Sequence, residues 1–121
     1  MNLAFLEFDC SEDAEGVVCW DALAQPAAGH TRALLQEVTQ LLAWSHRLGM
    51  QDPGPLEGGA DWDFDLRILW ANASVLAHWD KAQEKLDLSP QPTTGESITL
   101  SLSISGTPAF AQAFRDHWDA P

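Results

Sequence analysis

Residues 98–118 read ITLSLSISGTPAFAQAFRDHW, a segment from which the architecture of the whole chain can be predicted. Its first eight residues alternate aliphatic side chains with threonine and serine, which is the period of a strand that buries one face. Thr107 and Pro108 follow, a pair typical of the N-cap and first turn of a helix. The apolar stripe of that helix consists of Phe110, Phe114, His117 and Trp118. A one-sided strand that leads at once into an amphipathic helix predicts a sheet with a helix packed on its apolar face.

Three segments upstream show the same strand period. Residues 62–70, WDFDLRILW, place aromatic and aliphatic side chains at every second position. Residues 18–24 and 4–10 alternate in the same way, and the intervening 11–16 has the acidic residues and glycine of a hairpin turn. These patterns predict a half-buried strand at 62–70 and an N-terminal hairpin.

The remaining segments are a clear helix and an ambiguous stretch. Apolar residues spaced by three and four predict a helix over 27–48, which ends before Gly49. Residues 74–88 fit either a strand that returns through a turn at Asn72 or a helix capped by Ser74. We favour the strand because the segment 62–70 needs a neighbour in the sheet.

The resulting order, β-β-α-β-β-β-α, predicts an α+β fold. We expect a two-layer sandwich, with a mostly antiparallel sheet and two helices on one face, which leaves the other face of the sheet open. A chain of 121 residues suits a single acidic domain over 1–121. The turn-rich stretches 49–60 and 89–97 are too short to separate domains.

The composition restricts the classes of partner. Eighteen acidic against six basic residues give a formal net charge of −12, which disfavours nucleic acids and anionic membrane surfaces. No apolar run approaches the roughly 20 residues of a membrane span, and the N-terminus lacks the basic start of a signal peptide. We therefore expect a cytoplasmic protein. Frequent alanine and rare lysine are typical of a bacterial chain from a GC-rich genome.

No motif predicts catalysis or a cofactor. Cys10 and Cys19 stand outside any CxxC or Cys/His pattern and are expected to be free thiols, because opposite strand faces separate them. His78 and Asp80 share a strand face but have no identifiable nucleophile, and the serines of 98–105 lack the GxSxG elbow. We therefore predict no catalytic residues, no cofactor and no enzymatic activity.

The acidic string at 61–65 suggests a cation site as an alternative. If Trp70 faces Val75 across the turn, Asp65 faces Asp80, and two opposed carboxylates destabilise a sheet unless a cation lies between them. The candidate ligands are Asp63, Asp65, His78 and Asp80. The competing interpretation is a solvated strand face.

Two surfaces point to a protein partner. The acidic hairpin carries Glu12, Asp13 and Glu15. An apolar patch on the open sheet face is predicted from strand parity, and its members are Leu3, Phe5, Val17, Cys19 and Leu23. We therefore predict a non-catalytic protein-interaction domain that forms a homodimer or binds a basic protein through these surfaces. The alternative is a small-ligand or divalent-cation-binding protein.

Overall fold

The computed structural model describes residues 3–48, 52–71, 73–92 and 97–121. The strands are β1 (Asp9–Glu12), β2 (Val18–Ala24), β3 (Trp62–Trp70), β4 (Ala73–Asp80), β5 (Lys85–Ser89) and β6 (Ile98–Gly106). The helices are α1 (Thr31–Leu48) and α2 (Pro108–Trp118), with short 3-10 turns at Ala28–His30 and Leu56–Gly58. Of the predicted turn residues, Gly49 and Asn72 lie outside the described part of the chain.

The strands form one antiparallel sheet in the order β1-β2-β6-β3-β4-β5. The predicted alternating strand, β6, lies at its centre, where Ile104 pairs with Trp20 of β2 and with Phe64 of β3. The α+β fold and the predicted order of elements are confirmed. The structure adds one short strand, β5, which the sequence pattern did not separate from β4.

Both helices cover the apolar side of the sheet. Phe110 of α2 stacks on Trp62 with ring centroids 5.6 Å apart, and Phe114 packs on Trp20 at 4.3 Å. Gly106, the last residue of β6, leaves space for α2 to turn back, because a Cβ there would run into the Phe110 ring. The largest fully buried side chains include Trp20, Trp62, Phe114, Leu102 and Ile104.

The predicted first strand begins late. Residues 3–8 do not pair with β2; instead the side chain of Glu37 on α1 accepts the N–H groups of Ala4, Phe5 (3.0 Å) and Leu6 (2.8 Å). This carboxylate holds the segment against the helix side of the molecule. β1 therefore comprises only Asp9–Glu12, at the edge of the sheet.

Residues 74–88 lie in a β-hairpin formed by β4 and β5, so the alternative prediction of a helix is wrong. The first half of β4 pairs with β3 and the second half pairs with β5. None of the helices in the described residues has the length and apolar character needed to cross a lipid bilayer.

Candidate functional site

The open face is the side of the sheet away from the helices. The strand registers place on it Asp9, Ser11, Cys19, Asp21, Leu23, Asp63, Asp65, Arg67, Leu69, Ser74, Leu76, His78, Asp80, Lys85, Asp87, Ser89, Thr99, Ser101, Ser103 and Ser105. No described helix or strand packs over this face. The charged and apolar residues of this face are unevenly distributed.

One row across the open face concentrates carboxylates. Asp9 of β1 lies directly opposite Asp21 of β2, Asp21 lies opposite Ser103, and Ser103 lies opposite Asp65. The Ser103 hydroxyl donates to Asp21 at 2.5 Å, and Arg67 pairs with Asp65 at 3.1 Å. Within the described residues neither Asp9 nor Asp21 forms an ion pair. Like charges directly opposite each other destabilise a ladder.

The neighbouring rows of the open face present apolar side chains. Leu23 is 69% exposed, Leu69 46% and Leu76 73%. Leu23 pairs with Ser101, and Leu69 pairs with Thr99. Exposed leucines beside a row of carboxylates give this face both an apolar and an anionic region.

Only part of the predicted apolar patch lies on this face. Cys19 and Leu23 do, whereas Val17 is half-buried in the turn before β2. Leu3 and Phe5 pack against the core on the helix side, and the Phe5 ring lies 5.8 Å from that of His30. Their predicted parity is wrong because residues 3–8 are not a strand.

The acidic hairpin keeps fewer free carboxylates than the sequence suggested. Asp13 Oδ1 accepts the N–H groups of Glu15 at 2.8 Å and Val17 at 3.0 Å, so this side chain stabilises the turn. Gly16 completes that turn with a φ of 84°. Glu12 and Glu15 are exposed.

The predicted cation ligands are not brought together. Trp70 pairs with Ala73 rather than Val75, so the predicted register is wrong by two residues and Asp65 does not face Asp80. In the strand register Asp80 lies opposite Lys85, and its carboxylate accepts the Gln83 N–H at 3.1 Å. His78 lies opposite Asp87 in the same register. Asp63 accepts the N–H of the next residue, Phe64, at 2.9 Å. The described residues contain no group of three or more His, Cys, Asp or Glu side chains placed to hold a metal ion.

Both cysteines are free thiols, as predicted. Cys10 lies opposite Trp20 on the helix side, but at the sheet edge its side chain is exposed, and Arg115 Nη2 is 3.8 Å from its Sγ. Burial, and then the charges of Asp21 and Asp13, raise the pKa of the Cys19 thiol. Such surroundings disfavour the thiolate and give Cys19 no nucleophilic activation.

His46 lies in an aromatic box that the sequence did not indicate. Its ring stacks on Trp79 at 4.9 Å and meets Trp62 edge-on at 4.9 Å. Its Nδ1 lies 2.7 Å from the Leu42 carbonyl oxygen and, as the protonated nitrogen, donates to it. Burial lowers the pKa of His46 and outweighs the opposing effects of that hydrogen bond and of Asp52. The box favours a neutral imidazole.

A groove of about 740 Å³ separates α1 from β5. Its apolar side chains are Leu35, Leu86, Leu88 and Pro92. Its polar side chains are Thr31, Arg32, Gln36, Thr39, Gln40 and Gln91. Sequence reasoning missed this groove, because the polar stripe on α1 suggests solvent and β5 was not recognised as a separate strand.

Comparison of the chain with protein-family models, with curated proteins and with solved structures gave no match.

Proposed function

We propose that the protein is a non-catalytic protein-interaction domain that binds a basic protein through its open face. The observation that carries the proposal is the direct opposition of Asp9 and Asp21 on neighbouring strands. A lysine or arginine of a partner placed between them would remove a repulsion that the isolated protein has to bear. The exposed leucines beside this row would supply the apolar part of the contact.

Charge favours a basic partner over self-association. Two copies of a chain with a net charge of −12 repel each other, whereas a basic protein is attracted and its association is accelerated. The edge strand β1, with sequence DCSE, adds one more exposed carboxylate, Glu12, at the edge of the sheet.

A stability and binding comparison of Asp9→Asn tests the proposal. We expect this variant to stabilise the isolated protein by roughly 0.2–1 kcal/mol, because the like-charge pair is removed. The same variant should weaken binding of a basic partner that is identified by affinity capture and then purified. Opposite signs in the two measurements are the signature of a carboxylate kept for binding.

Glu57→Gln is the matched control, because it removes the same charge from an exposed position outside the open face. Calorimetric titration of the purified partner at low and high salt compares the two variants with the wild type. Equal effects of both variants on affinity would contradict the proposal, as would a captured partner that is itself acidic. A wild-type homodimer in sedimentation that survives Asp9→Asn unchanged would contradict it too.

A further inference from the structure

The groove between α1 and β5 lies on the helix side of the sheet and is independent of the open face. We infer that it binds an extended peptide, which adds to β5 as a further strand and places an acidic side chain against Arg32. This proposal does not depend on the proposed function.

β5 provides a free strand edge. It is the last strand of the sheet, and in the described part of the chain no backbone group pairs with its outer side. Its five residues alternate, so that Leu86 and Leu88 line the groove while Lys85, Asp87 and Ser89 are exposed. An added strand obtains affinity from backbone hydrogen bonds and specificity from alternate side chains, and here every second side chain would enter the groove.

The opposite wall is a helix face with hydrogen-bonding side chains. Arg32, Gln36 and Gln40 are spaced by four residues, so they form one row along α1. Gln91 adds a third side-chain amide at the rim. Amides carry both donors and acceptors, which suits the backbone of an extended chain.

The charge of the groove selects the peptide. The protein has 18 acidic residues, yet among the described residues none that lines the groove is acidic, and Arg32 is the one charged side chain there. Within the same residues, Arg32 is exposed and takes part in no ion pair. An acidic side chain is therefore complementary here, and a basic one is repelled.

The directions of α1 and β5 determine where the acidic residue lies in a peptide that runs antiparallel to β5. Arg47, at the end of α1, pairs at 3.1 Å with Glu84, which immediately precedes β5, so α1 and β5 run in opposite directions. Arg32 thus lies toward the Gln91 end of the groove. A peptide that is antiparallel to β5 starts at that end, so its acidic residue precedes its apolar ones.

The probe is a capped, fluorescent hexapeptide of glutamate followed by alternating threonine and leucine, measured by anisotropy at 0.15 M salt. At that salt the Debye length is about 8 Å, which screens the long-range repulsion by the acidic protein. We expect saturable binding, and about fivefold weaker binding when lysine replaces the glutamate. Arg32→Gln should remove this discrimination. Arg47→Gln, a charge change on the same helix outside the groove, should preserve it.

Backbone methylation of the peptide tests strand addition itself. In an added strand, alternate N–H groups point toward β5 and away from it. Methylation of the leucine amides or of the threonine amides should therefore give one peptide that binds more than tenfold more weakly and one that is unaffected. Absence of saturable binding, equal binding of the glutamate and lysine peptides, or equal losses from both methylation patterns would overturn the inference.

Discussion

The two ends of the helix side of the sheet differ in what covers them. β2, β6 and β3 lie under the helices, and Trp20, Trp62 and Leu102 are fully buried there. At the β5 end, Leu86 and Leu88 are only half-buried and line a groove. A helix is about 10 Å wide and strands are about 4.8 Å apart, so two helices cover about four strands. The uncovered end is thus a consequence of six strands and two helices.

Truncation of a large side chain at each end should give unequal losses. Phe114→Ala should reduce the free energy of unfolding by about 3–5 kcal/mol, because it removes a fully buried ring and leaves a cavity. Leu88→Ala should cost about 1 kcal/mol, because that side chain is already partly in water. Urea denaturation measures both. Similar losses would show that the β5 end is as well packed as the covered end.

Addition of a methyl group under α2 should also be costly. Gly106→Ala should destabilise by about 1–3 kcal/mol, because the new Cβ overlaps the Phe110 ring. Gly58→Ala is the control, since no atom lies within 4 Å of its added Cβ. If the overlap is the cause, the loss should shrink in a Phe110→Ala background. An unchanged loss in that background would point to another cause.

The N-terminal segment should depend on one carboxylate. Glu37→Gln should cost about 1 kcal/mol, because the neutral amide is a weaker acceptor for three N–H groups. Hydrogen exchange at Phe5 and Leu6 should accelerate in the variant. Gln40→Ala, an exposed change on the same helix, should leave both exchange rates at their wild-type values. Unaltered exchange in Glu37→Gln would mean that packing alone holds the segment.

The aromatic box should make stability depend on pH. The pKa of His46 is lower in the folded protein than its ordinary value of about 6.5, so the unfolded chain takes up the proton first as pH falls. The contribution of His46 to folding stability is therefore complete above about pH 6.5 and declines as the pH falls below that value. Urea midpoints at pH 7.5 and 5.5 should show a smaller loss in His46→Phe than in the wild type. Parallel changes in the two proteins would assign the pH dependence to other groups.

The smallest expected effect concerns thiol chemistry, with no change in fold. Cys10 is exposed, and the half-buried Cys19 has a raised pKa, so a thiol reagent at neutral pH should react with Cys10 first. Cys10→Ser should remove the fast phase of the thiol reaction. The denatured wild-type protein should titrate two thiols. A fast phase that persists in Cys10→Ser would reverse the assignment.

Sequence reasoning succeeded where the pattern is local. The alternation of 98–105 and 62–70 specified which side chains are buried, because successive strand residues point to opposite faces. It failed at residues 3–8, where apolar and polar side chains alternate but the backbone does not pair with a strand. Instead Glu37, on a helix that is distant in sequence, accepts N–H groups of this segment. It also failed for the β3–β4 register, because a shift of two residues keeps the same parity and leaves no trace in the pattern.

The candidate sites were less predictable than the fold. The carboxylate row requires Asp9 and Asp21 to be opposite each other, and the groove requires Leu35 and Leu88 to lie across from each other. Neither pair is close in sequence. Charge indicated an acidic surface, but not which carboxylates stabilise the structure, as Asp13 does in its turn.

Most of the elements and their buried faces follow from the local sequence, because period, caps and turn residues act within a few positions of the chain. The formal net charge of −12 is likewise a property of the sequence alone. The identity of neighbouring strands, the uncovered part of the sheet and the contacts between polar groups are set by tertiary packing. Those outcomes depend on contacts between distant residues, and on how much of a six-stranded sheet two helices can cover.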